Sequence, residues 1–145
     1  MIRQISDLDT YIVRQPVLRT GKNLNTCRFN GDDLESTKHF GYFIADNLVG
    51  VASIFCDDNK NFQDFKQMQL RGMAIFESYQ KQGLGQKLLL HCEVYAKQNK
   101  FEIIWFNARK KAIPFYEKLG YSEFGSLFEI HEIGEHIVMY KRFIG

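Results

Sequence analysis

Apolar positions along the chain alternate between two spacings, and the changes of spacing divide it into elements. From Gly83 to Gln98 they recur at steps of three and four. Leu84, Leu88, Cys92 and Tyr95 share one face, joined by Leu89 and Ala96, which is the period of an amphipathic helix. Shorter runs predict strands: residues 2–5, "HFGYFIA" at 39–45, "LVGVASIF" at 48–55 and "FKQMQLRGMAIF" at 65–76. Further along, "FEIIWFNA" at 101–108 reads as a buried strand, and "EFGSLFEIH" at 123–131 and "HIVMYKRF" at 136–143 as two more. "SDLDTYIVRQPVLR" predicts an early helix with Ser6 or Asp7 as its N-cap, which Pro16 should kink or split. The dipeptide "DN" at 46–47 predicts the turn of a hairpin, and the polar stretch 20–37 a loop or broken helix. Gly72 inside a long strand points to a bulge or a close backbone approach. Residues 110–119 predict a short helix closed by Gly120.

The order is β, α, three β, α, β, α, two β. Hairpins are mixed with one β-α-β crossover, so the expected fold class is α/β (α+β in some schemes): one mixed central sheet flanked by helices. The sequence shows no internal repeat and no linker rich in Pro, Gly or Ser, so residues 1–145 read as a single domain.

Composition narrows the function classes. Hydrophobic residues make up 45% and charged residues 25% of the 145 positions, ordinary globular values. Nineteen Lys and Arg against seventeen Asp and Glu leave a net charge of +2, too balanced for a nucleic-acid face. The "RKK" at 109–111 and "KR" at 141–142 read as solvated faces or local anion contacts. The N-terminal stretch has no long apolar run and carries Asp7 and Asp9, so no signal peptide is expected, and no run is long enough to span a bilayer, so no membrane association is expected. Cys27, Cys56 and Cys92 form no CxxC, consistent with reduced thiols in the cytoplasm. Cys92 on an apolar helix face and Cys56 at a strand end look like small core residues, which argues against a cysteine hydrolase. His131 and His136 lack further ligands at sensible spacing, so no metal is expected.

The most informative stretch is "YQKQGLGQKLLL", residues 79–90. It falls at the strand-to-helix turn of the crossover. A helix start leaves about four N–H groups without partners and carries roughly half a positive charge, and glycines there let the backbone approach an anion. Neither phosphate-binding fingerprint fits. No GxxxxGK precedes a Ser or Thr, and Leu88 stands where GxGxxG needs its third glycine.

What remains, Gln80-x-x-Gly83-x-Gly85 after a long strand, resembles the acetyl-CoA-binding segment of the GNAT N-acetyltransferases. "AIPFYEKLGY" at 112–121 resembles that family's second mark, the short Phe-Tyr helix, in the expected order and with a strand between. The ending, "FEI" ahead of "IGEHIVM", is similar to that of a branch of small bacterial members. The resemblance implies a central sheet splayed between the third long strand and the strand after the glycine helix. It further implies pantetheine pairing with main chain at Met73, Ala74 and Ile75, and pyrophosphate held by backbone N–H groups around Gln80, Lys81, Gln82, Gly83, Leu84, Gly85 and Gln86.

The implied activity is transfer of the acetyl group of acetyl-CoA to a primary amine, by direct attack in a ternary complex. Tyr116 occupies the family's general-acid position, where a neutral phenol can protonate the departing thiolate. The general base is open among His136, His39, Glu77 and a water relay, while Arg71 and His39 are candidates for the acceptor side. Asn107 ends a strand and could touch the cofactor. Arg109 stands where many relatives carry Asn, and could meet a 3′-phosphate, an acidic substrate or only solvent. The acceptor, a small molecule or a protein amine, is not readable, and a homodimer through edge strands stays open. A non-catalytic acyl-CoA-binding sensor or interaction module is the competing reading.

Overall fold

The computed structural model describes residues 1–131 and 133–143. Strand β1 (Ile2–Ile5) leads into helix α1 (Asp7–Leu18). Ser6 caps that helix: its hydroxyl accepts from the Asp9 N–H at 3.1 Å, and Asp9 Oδ2 accepts from the Ser6 N–H at 3.3 Å. This reciprocal pair satisfies two donors that a helix start leaves open. Of the two outcomes expected at Pro16, a kink or a split, the split does not occur: α1 runs through it. The proline lies in the last turn, so its missing N–H removes one bond where the helix is already ending. The Arg19 N–H then closes the end on the Arg14 and Gln15 carbonyls at 3.2 and 3.1 Å.

Strands β2 (Lys38–Ile44) and β3 (Asn47–Phe55) form the predicted hairpin, but its turn falls one residue early. Ala45 and Asp46 sit at φ 49° and 67°, and Asn47 already pairs with Ile44. Two consecutive left-handed residues match the twist of the flanking strands, which outweighs alanine's reluctance to adopt that region. Then follow β4 (Gln67–Ile75), α2 (Leu84–Gln98), β5 (Ile103–Arg109), α3 (Ile113–Lys118), β6 (Ser122–Ile130) and β7 (Gly134–Arg142). The seven strands form one mixed sheet in the order β1-β2-β3-β4-β5-β7-β6. Strands β4 and β5 run parallel, and their pairing covers three positions, Gln67↔Ile103 to Gln69↔Trp105. The last hairpin brings β7 next to β5 because Ile137 and Met139 of β7 are buried, whereas almost all of β6 is exposed.

Contacts group the chain into two compact units, residues 1–56 with 70–95, and residues 57–69 with 96–145. In the first, Val13, Val51 and Ala74 form a core that collects Ile5, Val17, Leu18, Leu48 and Phe76. Leu84, Leu88, Leu89 and Cys92 of α2 are also buried, the face its spacing predicted, and each buried leucine contributes about 1.5–3 kcal/mol. Burial also pushes the Cys92 thiol far above its usual range. Cys56, expected in the core, is exposed at the end of β3, where the chain leaves the strand for an acidic turn.

In the second unit Phe62, Ile103 and Trp105 pack with Phe65, Val138 and Tyr140. A buried amide latches the loop ahead of β4: Gln67 Oε1 accepts from the Asn59 N–H at 2.7 Å, and its Nε2 donates to the Asn59 and Phe62 carbonyls at 3.1 Å. Among the described residues no helix is long and apolar enough to cross a membrane.

Candidate active site

The glycine turn belongs to the first unit. After β4 a single 3-10 turn, Glu77–Tyr79, brings the chain back. Gln80 stays extended and its side-chain amide donates to the Ile75 carbonyl at 2.9 Å, tying the turn to the end of the strand. Lys81 at φ 64° and Gly83 at φ 82° then reverse the backbone into α2. The Gly83 carbonyl accepts the Lys87 N–H at 3.1 Å, the opening bond of the helix ladder.

The N–H groups of the first turn therefore precede the ladder and face outward as donors. No acidic residue stands in that first turn to compete for an anion. A Cβ added to Gly83 would meet nothing within 4 Å, so the space in front of this backbone is open. Lys81, Gln82, Gly83 and Gln86 are exposed, Gly85 is half-buried, and Leu84 turns inward. A diphosphate fits this turn on charge, donors and room.

Gly72 is the contrasting case. It sits inside β4 at φ 66°, and an added Cβ would lie 2.8 Å from Phe29 Cε2 and 3.1 Å from Arg14 Nε. What crowds the Gly72 backbone is side chain, the Phe29 ring and the Arg14 guanidinium. Beyond this glycine, Met73 and Ile75 are half-buried and Ala74 is buried.

Under Gly72 lies a buried polar network. Arg14 is fully buried, and its guanidinium binds Asp32 through both nitrogens, at 2.6 Å and 3.1 Å. It also donates to the Cys27 carbonyl at 2.8 Å and to Ser53 Oγ at 3.1 Å. Among the described residues Arg14 Nε is the one buried side-chain polar atom without a partner, an omission that costs about 1–3 kcal/mol.

His39 belongs to the same network and is 4% exposed. Its Nε2–H donates to the Asp32 carbonyl at 2.8 Å, and since a carbonyl only accepts, Nδ1 of the neutral ring accepts from the Ser53 hydroxyl at 2.6 Å. Both ring nitrogens are thus occupied by protein groups. Arg71 is half-buried, with its guanidinium 4.8 Å from the Phe29 ring and 5.2 Å from the Phe55 ring. Glu77 is exposed on a groove shared with Pro16, Val17, Thr20 and Phe76.

The second unit holds the remaining candidates. Asn107 projects from β5 as an exposed residue between buried Phe106 and Ala108, and Arg109, also exposed, ends the strand. The Tyr116 ring on α3 lies tilted against Phe106, centroids 4.4 Å apart, and edge-to-face with Phe115 at 5.1 Å. Burial pushes its phenol up to about 12, while the Arg109 guanidinium pulls the other way. The hydroxyl is a neutral donor at any ordinary pH. His136 pairs in register with Arg109 and is 4% exposed. Its Nδ1–H donates to the Gly134 carbonyl at 2.8 Å, which leaves Nε2 as the basic nitrogen of the neutral ring. Beside them a basic groove of about 560 Å³ is lined by Arg109, Lys110, Lys111, Pro114, Ile133 and Glu135, with Lys110 Nζ 3.7 Å from Glu135.

The sequence reading passed over Arg14, Asp32 and Ser53. A signal was present: Thr10, Val13, Arg14 and Val17 follow the steps of a helix's inner face, so Arg14 stands at a core position.

Comparison with known proteins matches this picture. The model of the acetyltransferase (GNAT) family matches residues 9–121. The uncharacterized N-acetyltransferase YitI of Bacillus subtilis (strain 168) is 35% identical over 140 residues, covering 97% of this chain and 94% of YitI. An aminoglycoside 6′-N-acetyltransferase solved with coenzyme A superposes at a TM-score of 0.78 with 15% identity, covering 100% and 98% of the two chains. A ribosomal-protein-alanine N-acetyltransferase from Brucella melitensis does so at 0.75 with 16% identity, covering 99% of each. At these identities the two solved structures speak for the fold.

Proposed function

The chain belongs to the GNAT acetyltransferase family, and from that premise we propose that it transfers the acetyl group of acetyl-CoA to a primary amine of a small molecule or protein. One observation carries the cofactor assignment. The start of α2 offers unladdered N–H donors, no acidic neighbour in its first turn, and open space at Gly83. Main-chain N–H groups from Lys81 to Gln86 would hold the pyrophosphate, and those of Met73, Ala74 and Ile75 the pantetheine arm. When bound, acetyl-CoA supplies an activated acyl group. The fold neighbour solved with coenzyme A supports this choice of donor.

The protein's own groups then manage protons. The acceptor amine, with a pKa near ~10.4 in water, must lose one before it attacks the acetyl carbon. His136 Nε2 is the candidate to take it, since the Gly134 carbonyl holds the other ring nitrogen protonated. Glu77 is the exposed alternative. As the carbon–sulfur bond breaks, the Tyr116 hydroxyl donates to the thiolate sulfur, and its raised pKa keeps that donor protonated. Asn107 is proposed as a cofactor contact and Arg71 as an acceptor contact, whereas the saturated ring of His39 suits a structural part of the acceptor wall. Two buried thiols and one exposed free thiol fit a cytoplasmic setting. The names of the two fold neighbours pair this architecture with quite different amines, so the acceptor is set by local side chains.

The test pairs calorimetry of acetyl-CoA binding with thiol release across a panel of amines. Acetyl-CoA at about 100 times its dissociation constant should stabilise the chain by roughly 2.7 kcal/mol in a melt, with NAD and ATP doing much less. Binding without thiol release for any amine would favour the sensor reading. Equal stabilisation by NAD would remove the acetyltransferase reading.

A further inference from the structure

We propose that Arg14 is a positioning residue for the acetyl-donor strand, acting through Gly72; this rests on the function proposed above. The segment Met73–Ile75 is pinned at its far end by two bonds. The Phe76 N–H donates to the Val49 carbonyl at 3.0 Å, and the Gln80 amide donates to the Ile75 carbonyl at 2.9 Å. Its near end begins at Gly72, whose left-handed backbone turns the following peptide groups out of the regular pleat. The group that backs Gly72 is the Arg14 guanidinium, 3.1 Å from the position of an added Cβ at Nε and 3.4 Å at Nη2. The same guanidinium lies 4.0 Å over the Phe29 ring, the other atom set that an added Cβ would strike.

Arg14 also fixes the 20–37 segment to this point. It holds the Cys27 carbonyl and the Asp32 carboxylate, and Asp32 Oδ2 in turn accepts the Phe29 N–H at 2.8 Å. One guanidinium thus sets both the donor strand and the loop beside it.

Stability alone does not explain this choice. A buried ion pair is often matched or bettered by apolar residues of similar volume, and Arg14 Nε is left without a partner. What a planar, forked cation offers instead is fixed geometry on several sides at once. Its in-plane donors hold the loop, and its remaining edge sets the distance to Gly72.

A double-mutant cycle read in acetyl-CoA affinity tests this, with all variants measured well below their melting points. Arg14→Met and Gly72→Ala should each weaken acetyl-CoA binding about tenfold by calorimetry, raising KM for acetyl-CoA more than they lower kcat. Because both act at one contact, Arg14→Met with Gly72→Ala should lose about as much as either alone. Phe62→Ala, a core truncation in the other unit, should lower the melting point and leave affinity unchanged. Single variants that bind like wild type, or losses that multiply to about a hundredfold, would overturn the positioning role. If Arg14→Met does not fold, Phe29→Leu replaces it in the same cycle, since Phe29 is the closer partner of the added Cβ. A wild-type chain that binds no acetyl-CoA removes the function proposed above, and this inference with it. A wild-type chain that binds, with uncoupled variants, removes this inference alone.

Discussion

Gly72 and Gly83 share a left-handed backbone, φ 66° and 82°, and are glycine for opposite reasons. At Gly72 the protein itself fills the space a side chain would need, with Phe29 and Arg14 both at or within 3.1 Å of an added Cβ. At Gly83 nothing of the protein lies within 4 Å. The first glycine permits internal packing, while the second leaves clear the helix start that we propose for the diphosphate. Two glycines that look alike in sequence should therefore fail differently when changed: both changes should weaken acetyl-CoA binding, but the one at Gly72 should cost more stability, because only there does the new methyl group strike the protein.

The largest effect should come from removing what holds the crowded side in place. Asp32→Ala leaves the Arg14 charge buried and unpaired, which should lower unfolding stability by about 3–5 kcal/mol in urea titrations. Gly72→Ala follows. Left-handed strain of roughly 1–2 kcal/mol adds to crowding of about 1–3 kcal/mol, for a loss of about 2–5 kcal/mol by the same titration. If Gly72→Ala proved as mild as a surface change, the contrast between the two glycines would be lost.

Tyr116→Phe touches neither glycine and separates chemistry from both. It should leave acetyl-CoA affinity near wild type and cut turnover by about 10², the lower end for a positioned acid. With the phenol at about 12, giving its proton to a thiolate whose thiol has a pKa near 8.5 is uphill by roughly three to four units. The pH–rate profile carries a second check: wild type should show no tyrosine limb near pH 10, because the folded phenol is still protonated there. An alkaline limb near 10 that vanishes in the Phe variant would mean that the hydroxyl sits in water. For stability the sign runs the other way. The unfolded phenol, near 10, ionises before the folded one, so Tyr116 withdraws stability as pH climbs from about 10 toward 12, and Tyr116→Phe escapes that loss in an alkaline melt.

The smallest stability effect belongs to Gly83→Ala. It meets no atom, so only backbone strain of about 1–2 kcal/mol is expected, yet acetyl-CoA affinity should fall about tenfold as the methyl group enters the diphosphate's space. A melt and a calorimetric titration on that one variant sharpen the contrast with Gly72→Ala.

Local physics had already determined a good deal in the bare sequence. The inner face of α2 followed from the steps between Leu84, Leu88 and Cys92, and the start of α1 from a Ser6 cap three residues before Asp9. The glycine pair could be placed at a helix start, because helix periods and caps depend on neighbours within one or two turns. The element order followed for the same reason. Tertiary structure decided what depends on distant partners. Nothing local places β7 between β5 and β6, or takes Cys56 out of the core. Nothing near Ala45 announces that the hairpin turns there and not at Asp46 and Asn47. Above all, Asp32 in a polar loop and Arg14 on a helix read as solvated charges until the chain folds them against each other. A charge is buried only when a partner arrives from elsewhere in the sequence. The protein's donor turn was therefore written in its neighbours, while the knot beneath Gly72 exists only in three dimensions.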